Sequence, residues 1–146
     1  MDDQRMAPQT DQTPRKHEEL VVAAVAVLRE GRLLVVSKKA APDFFYLPGG
    51  KPEPGENARE AMTREVREEL GVRPLDVAPL TEVHATAALE GVPMRMTVFT
   101  ATLDGEPAPA AEIAALHWTD GTEAPPFTLA PAVRDHVLPL LAGRTL

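Results

Sequence analysis

An α/β domain, in which a sheet is flanked by two helices, is the expectation from three patterns in the chain. Short valine-rich runs bounded by glycine and proline turns read as strands. Between Asn57 and Gly71, Met62, Val66 and Leu70 recur every four residues, which places them on one face of a helix. From about Ala130 to Leu141, Val133, Val137 and Leu141 repeat that spacing and predict a closing helix, with Pro139 positioned to kink it. Helices on both sides bury the strands on both faces and leave the ends of the first helix near the loops.

The elements follow in order. Met1 to Glu19 is polar and acidic, holds Pro8 and Pro14, and lacks the charged-then-apolar layout of a signal peptide. It is expected to be a poorly ordered tail before a domain over 20–146. Leu20 to Leu28 is an apolar run, Glu30-Gly31 a turn and Leu33 to Val36 a second run, together a hairpin signal. Ala40 to Tyr46, with Pro42, Asp43, Phe44, Phe45 and Tyr46, reads as a loop whose aromatics either wall a base pocket or seal the sheet edge. Leu47-Pro48-Gly49-Gly50 is a turn that lets backbone approach a ligand closely. Pro52, Pro54 and Gly55 stiffen the loop up to Asn57, an N-cap with Glu60 as its capping-box partner, and Gly71 stops the helix. Leu80 to Leu89 and Met94 to Leu103 are extended, joined by Glu90-Gly91-Val92-Pro93. Prolines number 15 in 146 residues, about double the ~5% average, and their clusters at Pro107 and Pro109 and at Pro125, Pro126 and Pro131 mark loops. His84, alone on a strand, carries no assigned role.

Composition narrows the function classes. Fifteen basic against 22 acidic residues gives a net charge of −7, which argues against a polymeric nucleic acid partner. The absence of cysteine excludes disulfides, zinc thiolates and thiol nucleophiles and suits a reducing cytoplasm. No apolar run approaches the ~20 residues of a membrane helix, so no membrane partner is expected.

The chemistry concentrates on the first helix. Glu65, Glu68 and Glu69 lie three and four residues apart and project together. Like charges on one turn weaken a helix by a few tenths of a kcal/mol per pair, so a bound cation is the natural counterweight. Oxygen-only ligands favour Mg2+ or Mn2+. Such an ion would bridge the carboxylates to phosphate oxygens and acidify a bound water. Arg64 lies one turn before Glu68 and can pair with Glu56 across the loop, which would orient the carboxylates or else form a plain surface ion pair.

The stretch from Gly50 through Glu56 to Arg64-Glu65-Val66-Arg67-Glu68-Glu69-Leu70-Gly71-Val72 is in register throughout with the Nudix box, GX5EX7REUXEEXGU, where U is aliphatic, and so resembles that family. The resemblance implies the Nudix fold, an α/β/α sandwich around a mixed β-sheet, and covers about residues 20–142. It also implies cleavage of a nucleoside diphosphate linked to another moiety. Glu65 would be a metal ligand or general base, Glu68 and Glu69 further ligands, and the Gly49 carbonyl another. MutT-type members carry a glutamate six residues before a tryptophan. Glu112 and Trp118 match that spacing, and Asp104-Gly105-Glu106-Pro107 looks like the same segment, so Glu112 is expected as a distal ligand or the base. Lys38, Lys39 and Lys51 are the expected phosphate contacts, and Tyr46 joins them in substrate binding. The MutT-like spacing favours nucleoside triphosphates, oxidised ones included, giving monophosphate and pyrophosphate. ADP-ribose, nucleotide sugars and dinucleoside polyphosphates are alternatives, as is a non-catalytic nucleotide-binding module. Where the MutT pattern reads oxidised guanine with an asparagine before the last helix, this chain has Leu129, which argues against 8-oxoguanine specificity. Many members of the family dimerise, and a homodimer is expected from the resemblance alone.

Overall fold

The computed structural model describes residues 19–142, so the expected tail, apart from Glu19, lies outside the described residues. Nine strands, a helix and a closing helical segment follow one another: β1 Leu20–Ala26, β2 Leu28–Arg29, β3 Arg32–Lys38, β4 Ala41–Tyr46, β5 Gly49–Gly50, α1 Ala58–Leu70, β6 Pro74–Thr86, β7 Pro93–Leu103, β8 Ile113–Thr119 and β9 Thr128–Leu129. A π-helical stretch, Val133–Val137, then runs into α2, Leu138–Leu141.

The expected mixed sheet is present as two sheets. One has the order β5-β1-β7-β6, with β1 parallel to β7 and antiparallel to β5. The other has the order β2-β3-β4-β9, with β8 along the free side of β3. The first apolar run divides between them. Its hairpin with β3 is only the pair Leu28↔Leu33 and Arg29↔Arg32, around Glu30 and Gly31 with positive φ. Val27, whose carbonyl accepts from the Leu34 N–H at 2.9 Å, sits where the chain passes from one sheet to the other.

Side chains on β1 and β3 alternate between two cores, as the two-residue period of a strand requires. Ala23, Val25, Val27, Leu34 and Val36 pack with Met62, Val66 and Leu70 of α1. Ala24, Ala26, Leu33 and Val35 pack with Val133, Val137 and Leu141 of the closing segment. The central strands are therefore apolar on both faces, which is why their sequence shows runs rather than alternation. Met62 is fully buried, and its truncation to alanine would cost about 2–5 kcal/mol.

The structure departs from expectation at four places. Residues 41–46 are a strand, not a loop. β4 pairs with β3 at Val36↔Tyr46 and Lys38↔Ala41, across a bulge that takes up Pro42, which has no N–H to donate, and its outer edge is covered by β9 at Phe44↔Thr128 and Phe45↔Leu129. β8 was not anticipated; alanines at 114 and 115 blur its alternation, and six pairings with β3 supply the order. The closing helix is not uniform. Ahead of Pro139 it winds wider, the Leu138 N–H reaching back to the Val133 carbonyl, a local way of absorbing a proline inside a helix. β6 also begins at Pro74 rather than Leu80.

Candidate active site

α1 is held at both ends as its sequence indicated. The Asn57 side chain accepts from the Glu60 N–H at 2.8 Å, Glu60 accepts from the Asn57 N–H at 3.0 Å, and Gly71 closes the helix at φ 71°. Glu65 and Glu69 project from this helix toward the double glycine of β5. Both glycines are required there. A Cβ on Gly49 would collide with the backbone of Ala23 and Ala24 on β1, and one on Gly50 would fall on the Glu65 carboxylate. The Gly49 N–H instead donates to Glu69 at 3.2 Å.

The third carboxylate arrives from far along the chain. The segment after β7 docks on the end of α1, where the Ala108 and Ala110 N–H groups satisfy the Leu70 and Glu69 carbonyls at 3.1 and 2.9 Å. Ala111 then turns through φ 54°, and the Glu112 carbonyl accepts from the Lys39 N–H at 2.9 Å. Carboxylate oxygens of Glu65, Glu69 and Glu112 consequently lie within 4.8 Å of one another.

Such a cluster is electrostatically uncomfortable without a cation. Glu69 is 2% exposed; burial, then the charges of Glu65 and Glu112, push its carboxyl up to about 8 against the Gly49 N–H and Lys38. Burial also raises Glu65, with Arg64 opposing. The donor set is three carboxylates with no nitrogen or sulfur, and it fits a hard divalent ion whose charge would offset this repulsion.

Arg64 braces the cluster. Its guanidinium makes a bidentate pair with Glu56, Nε–Oε2 at 2.8 Å and Nη2–Oε1 at 2.9 Å. It also donates to the Lys51 carbonyl at 3.1 Å and to Glu65 at 3.2 Å. One side chain thereby ties the stiff loop to the carboxylate face. Glu68 stands apart from the three-carboxylate group, more than half exposed and 3.5 Å from Arg64.

The cluster forms one end of a cavity of about 290 Å³. Gly49, Gly50, Lys38 and Lys51 line that end, while Leu20, Val22, Phe44, Leu47, Met94 and Met96 make the rest largely apolar. Lys39 is not among the lining residues. Tyr46 is, and its hydroxyl is buried without a hydrogen-bond partner. Burial, then Glu69, Glu112 and Glu90, hold that phenol well above its ordinary range, so it is a donor at neutral pH. Nothing local signals that Thr86 at the end of β6 and Ala88, Leu89 and Glu90 of the following turn line the cavity, because a hairpin turn reads the same wherever it packs.

An acidic pocket for a hard cation, flanked by lysines and opening on an apolar chamber, defines a class: hydrolases of phosphoanhydride bonds in small nucleotides. The comparisons agree. The NUDIX domain profile matches residues 18–141. A Mycobacterium tuberculosis (strain H37Rv) protein carrying the provisional name 8-oxo-dGTP diphosphatase 2 is 34% identical over 129 residues, 86% of this chain and 89% of the relative. Escherichia coli K12 CTP pyrophosphohydrolase is 44% identical over 55 residues, 36% of this chain and 40% of its own length. Among solved structures, the MutT NUDIX hydrolase of Burkholderia pseudomallei superposes with a TM-score of 0.64 at 31% identity, over 75% of this chain and 88% of the other. The chain belongs to the Nudix family and is a Nudix hydrolase acting on phosphoanhydride bonds. Members of that family act on small nucleotide substrates and generally use divalent metals. Among the described residues no helix is long and apolar enough to cross a membrane.

Proposed function

We propose that the protein is a Mg2+-dependent pyrophosphohydrolase of nucleoside triphosphates, oxidised ones included, releasing monophosphate and pyrophosphate. One observation carries this reading: the carboxylate cluster and the apolar chamber are two ends of one cavity of about 290 Å³. That volume lies just below the ~300–1,000 Å³ range of ligand pockets. It suits one nucleoside with its phosphates and leaves the second nucleoside of a dinucleoside polyphosphate outside. The names of the M. tuberculosis and E. coli relatives favour triphosphates as well.

Glu65, Glu69 and Glu112 would hold the ion, with the Gly49 backbone beside them. When bound, Mg2+ or Mn2+ supplies charge neutralisation at the phosphates and a more acidic water. Lys38 and Lys51 bind and orient phosphate oxygens from the cavity wall. Water attacks a phosphorus, the bridging P–O bond breaks, and the water's proton passes to a cluster carboxylate, Glu65 or Glu112. Arg64 holds Glu65 while Glu56 holds Arg64. Leu129 is buried in the core and paired with Phe45, so it offers no side-chain hydrogen bond to an oxidised base. This supports a triphosphatase not confined to 8-oxoguanine. A cytoplasmic setting and a homodimer belong to the same reading, the latter measurable as molar mass by light scattering.

The test is product analysis with Mg2+ and a panel of dNTPs, 8-oxo-dGTP, ADP-ribose, nucleotide sugars and diadenosine polyphosphates. Monophosphate plus pyrophosphate from triphosphates, ahead of all other substrates, is expected. Preferential cleavage of ADP-ribose or a dinucleotide would overturn the substrate choice. Nucleotide-induced stabilisation without any product would point instead to a binding module.

A further inference from the structure

The cavity has a direction. β1 meets Gly49 at Ala24 and Met94 at Leu20, so from carboxylate end to far end it extends about 13 Å at ~3.3 Å per residue. A triphosphate seated at the cluster would therefore carry its base to the far end. The walls there, Leu20, Met94 and Phe44, offer a base only apolar contact, and Ala130, Pro131 and Ala132 contribute no polar side chain. Thr86, the last residue of β6, and Glu90, on the turn between β6 and β7, are the polar residues that line this end, both partly open to solvent.

That turn is built to hold its shape. The Ala87 N–H donates to the Val92 carbonyl at 2.8 Å, and the Gly91 N–H to the Ala87 carbonyl at 2.7 Å. Ala87 is buried, and Gly91 takes φ 73°. Glu90 thus leaves a pinned backbone, and its charge is felt by the Tyr46 phenol across the cavity. Among the described residues it has no side-chain hydrogen bond or ion pair of its own.

We propose that Glu90 selects the nucleobase, its carboxylate accepting hydrogen bonds from bases that carry an exocyclic amine. An ionised carboxylate only accepts. Guanine offers adjacent N1–H and N2–H donors for a bidentate match, and cytosine and adenine each offer an amine. Thymine and uracil present one N3–H between two carbonyl oxygens, which the carboxylate repels. This rests on the triphosphate reading above.

The experiment compares kcat/KM for dGTP, dCTP, dATP and dTTP with Mg2+ in the wild-type protein, Glu90→Ala and Glu90→Gln. The wild type is expected to favour dGTP over dTTP by about tenfold, the lower end of what one bidentate pair discriminates. Glu90→Ala should bring that ratio to within about threefold by lowering dGTP and raising dTTP, as the bidentate acceptor and its repulsion of the thymine carbonyls are lost together, and Glu90→Gln should fall between. A wild type that shows no preference, or a ratio that survives Glu90→Ala, overturns the role of Glu90 and leaves the triphosphate reading intact. A wild type that cleaves none of the four but cleaves another nucleotide overturns both.

Discussion

The two ends of the cavity are built differently. The reacting end comes mostly from one stretch, Gly49 to Glu69, in which a glycine pair, a capped helix and the Arg64–Glu56 pair constrain one another. The far end is assembled from the start of β1, the turn after β6, the start of β7, β4 and the segment before the closing helix. The side-chain hydrogen bond that ties two of these segments, Arg95 to Glu19 at 3.4 Å, lies outside the lining. Chemistry is thus tied to a local motif, whereas substrate choice is a product of how distant segments meet.

If that contrast holds, damage at the reacting end should appear in kcat and damage at the far end in KM. The largest effect is expected for Glu65→Gln, a loss of about 10²–10⁴ in kcat with an unchanged thermal midpoint; near-normal turnover would remove Glu65 from the chemistry. Arg64→Ala should cost about 10–100-fold in activity or metal affinity, because Glu65 and the Lys51 loop both lose their brace. Titration of Mg2+ against activity separates the two, and an unchanged curve with unchanged rate would reduce Arg64 to a surface ion pair. Met94→Ala at the far end should raise KM by about tenfold with kcat preserved, since one missing methylene in an apolar pocket already changes binding by about 1–3 kcal/mol. A fall in kcat instead would mean that the two ends are mechanically coupled.

The smallest effect concerns pH. The hydrogen bonds from Arg64, then from the Glu53 N–H, hold the Glu56 carboxyl at about 2, below its ordinary 4.5. Its contribution to stability is fully present above 4.5 and is lost as pH falls from there toward 2. The thermal midpoint of the wild type should therefore exceed that of Glu56→Gln at pH 6, and the difference should shrink by pH 3. A difference constant across that window would show that Glu56 acts through packing rather than charge.

The same contrast separates what could be read from the sequence. The helix with its caps and the Arg64–Glu56 pairing were legible because each depends on neighbours within about ten residues, where periodicity and capping chemistry act, while the glycine pair was legible as a turn although its contacts with Ala23, Ala24 and Glu65 are distant. β4 was hidden by Pro42 and Asp43, and only its partners on both sides make it a strand. β8 was hidden by two alanines, and the winding before Pro139 by the repeat that masks it.

Valine-rich runs, four-residue apolar periodicity and the spacing of carboxylates and glycines were enough to define an α/β domain with an acidic, metal-suited helix face, because each is a local pattern along the chain. Tertiary structure alone decided that Glu69 is buried while Glu68 faces solvent, and that Glu112 reaches the cluster through the docked segment around Ala111. It also decided that the turn carrying Glu90 lines the cavity. Each of these depends on which distant backbone satisfies which hydrogen bond and excludes which water, and no local pattern encodes that.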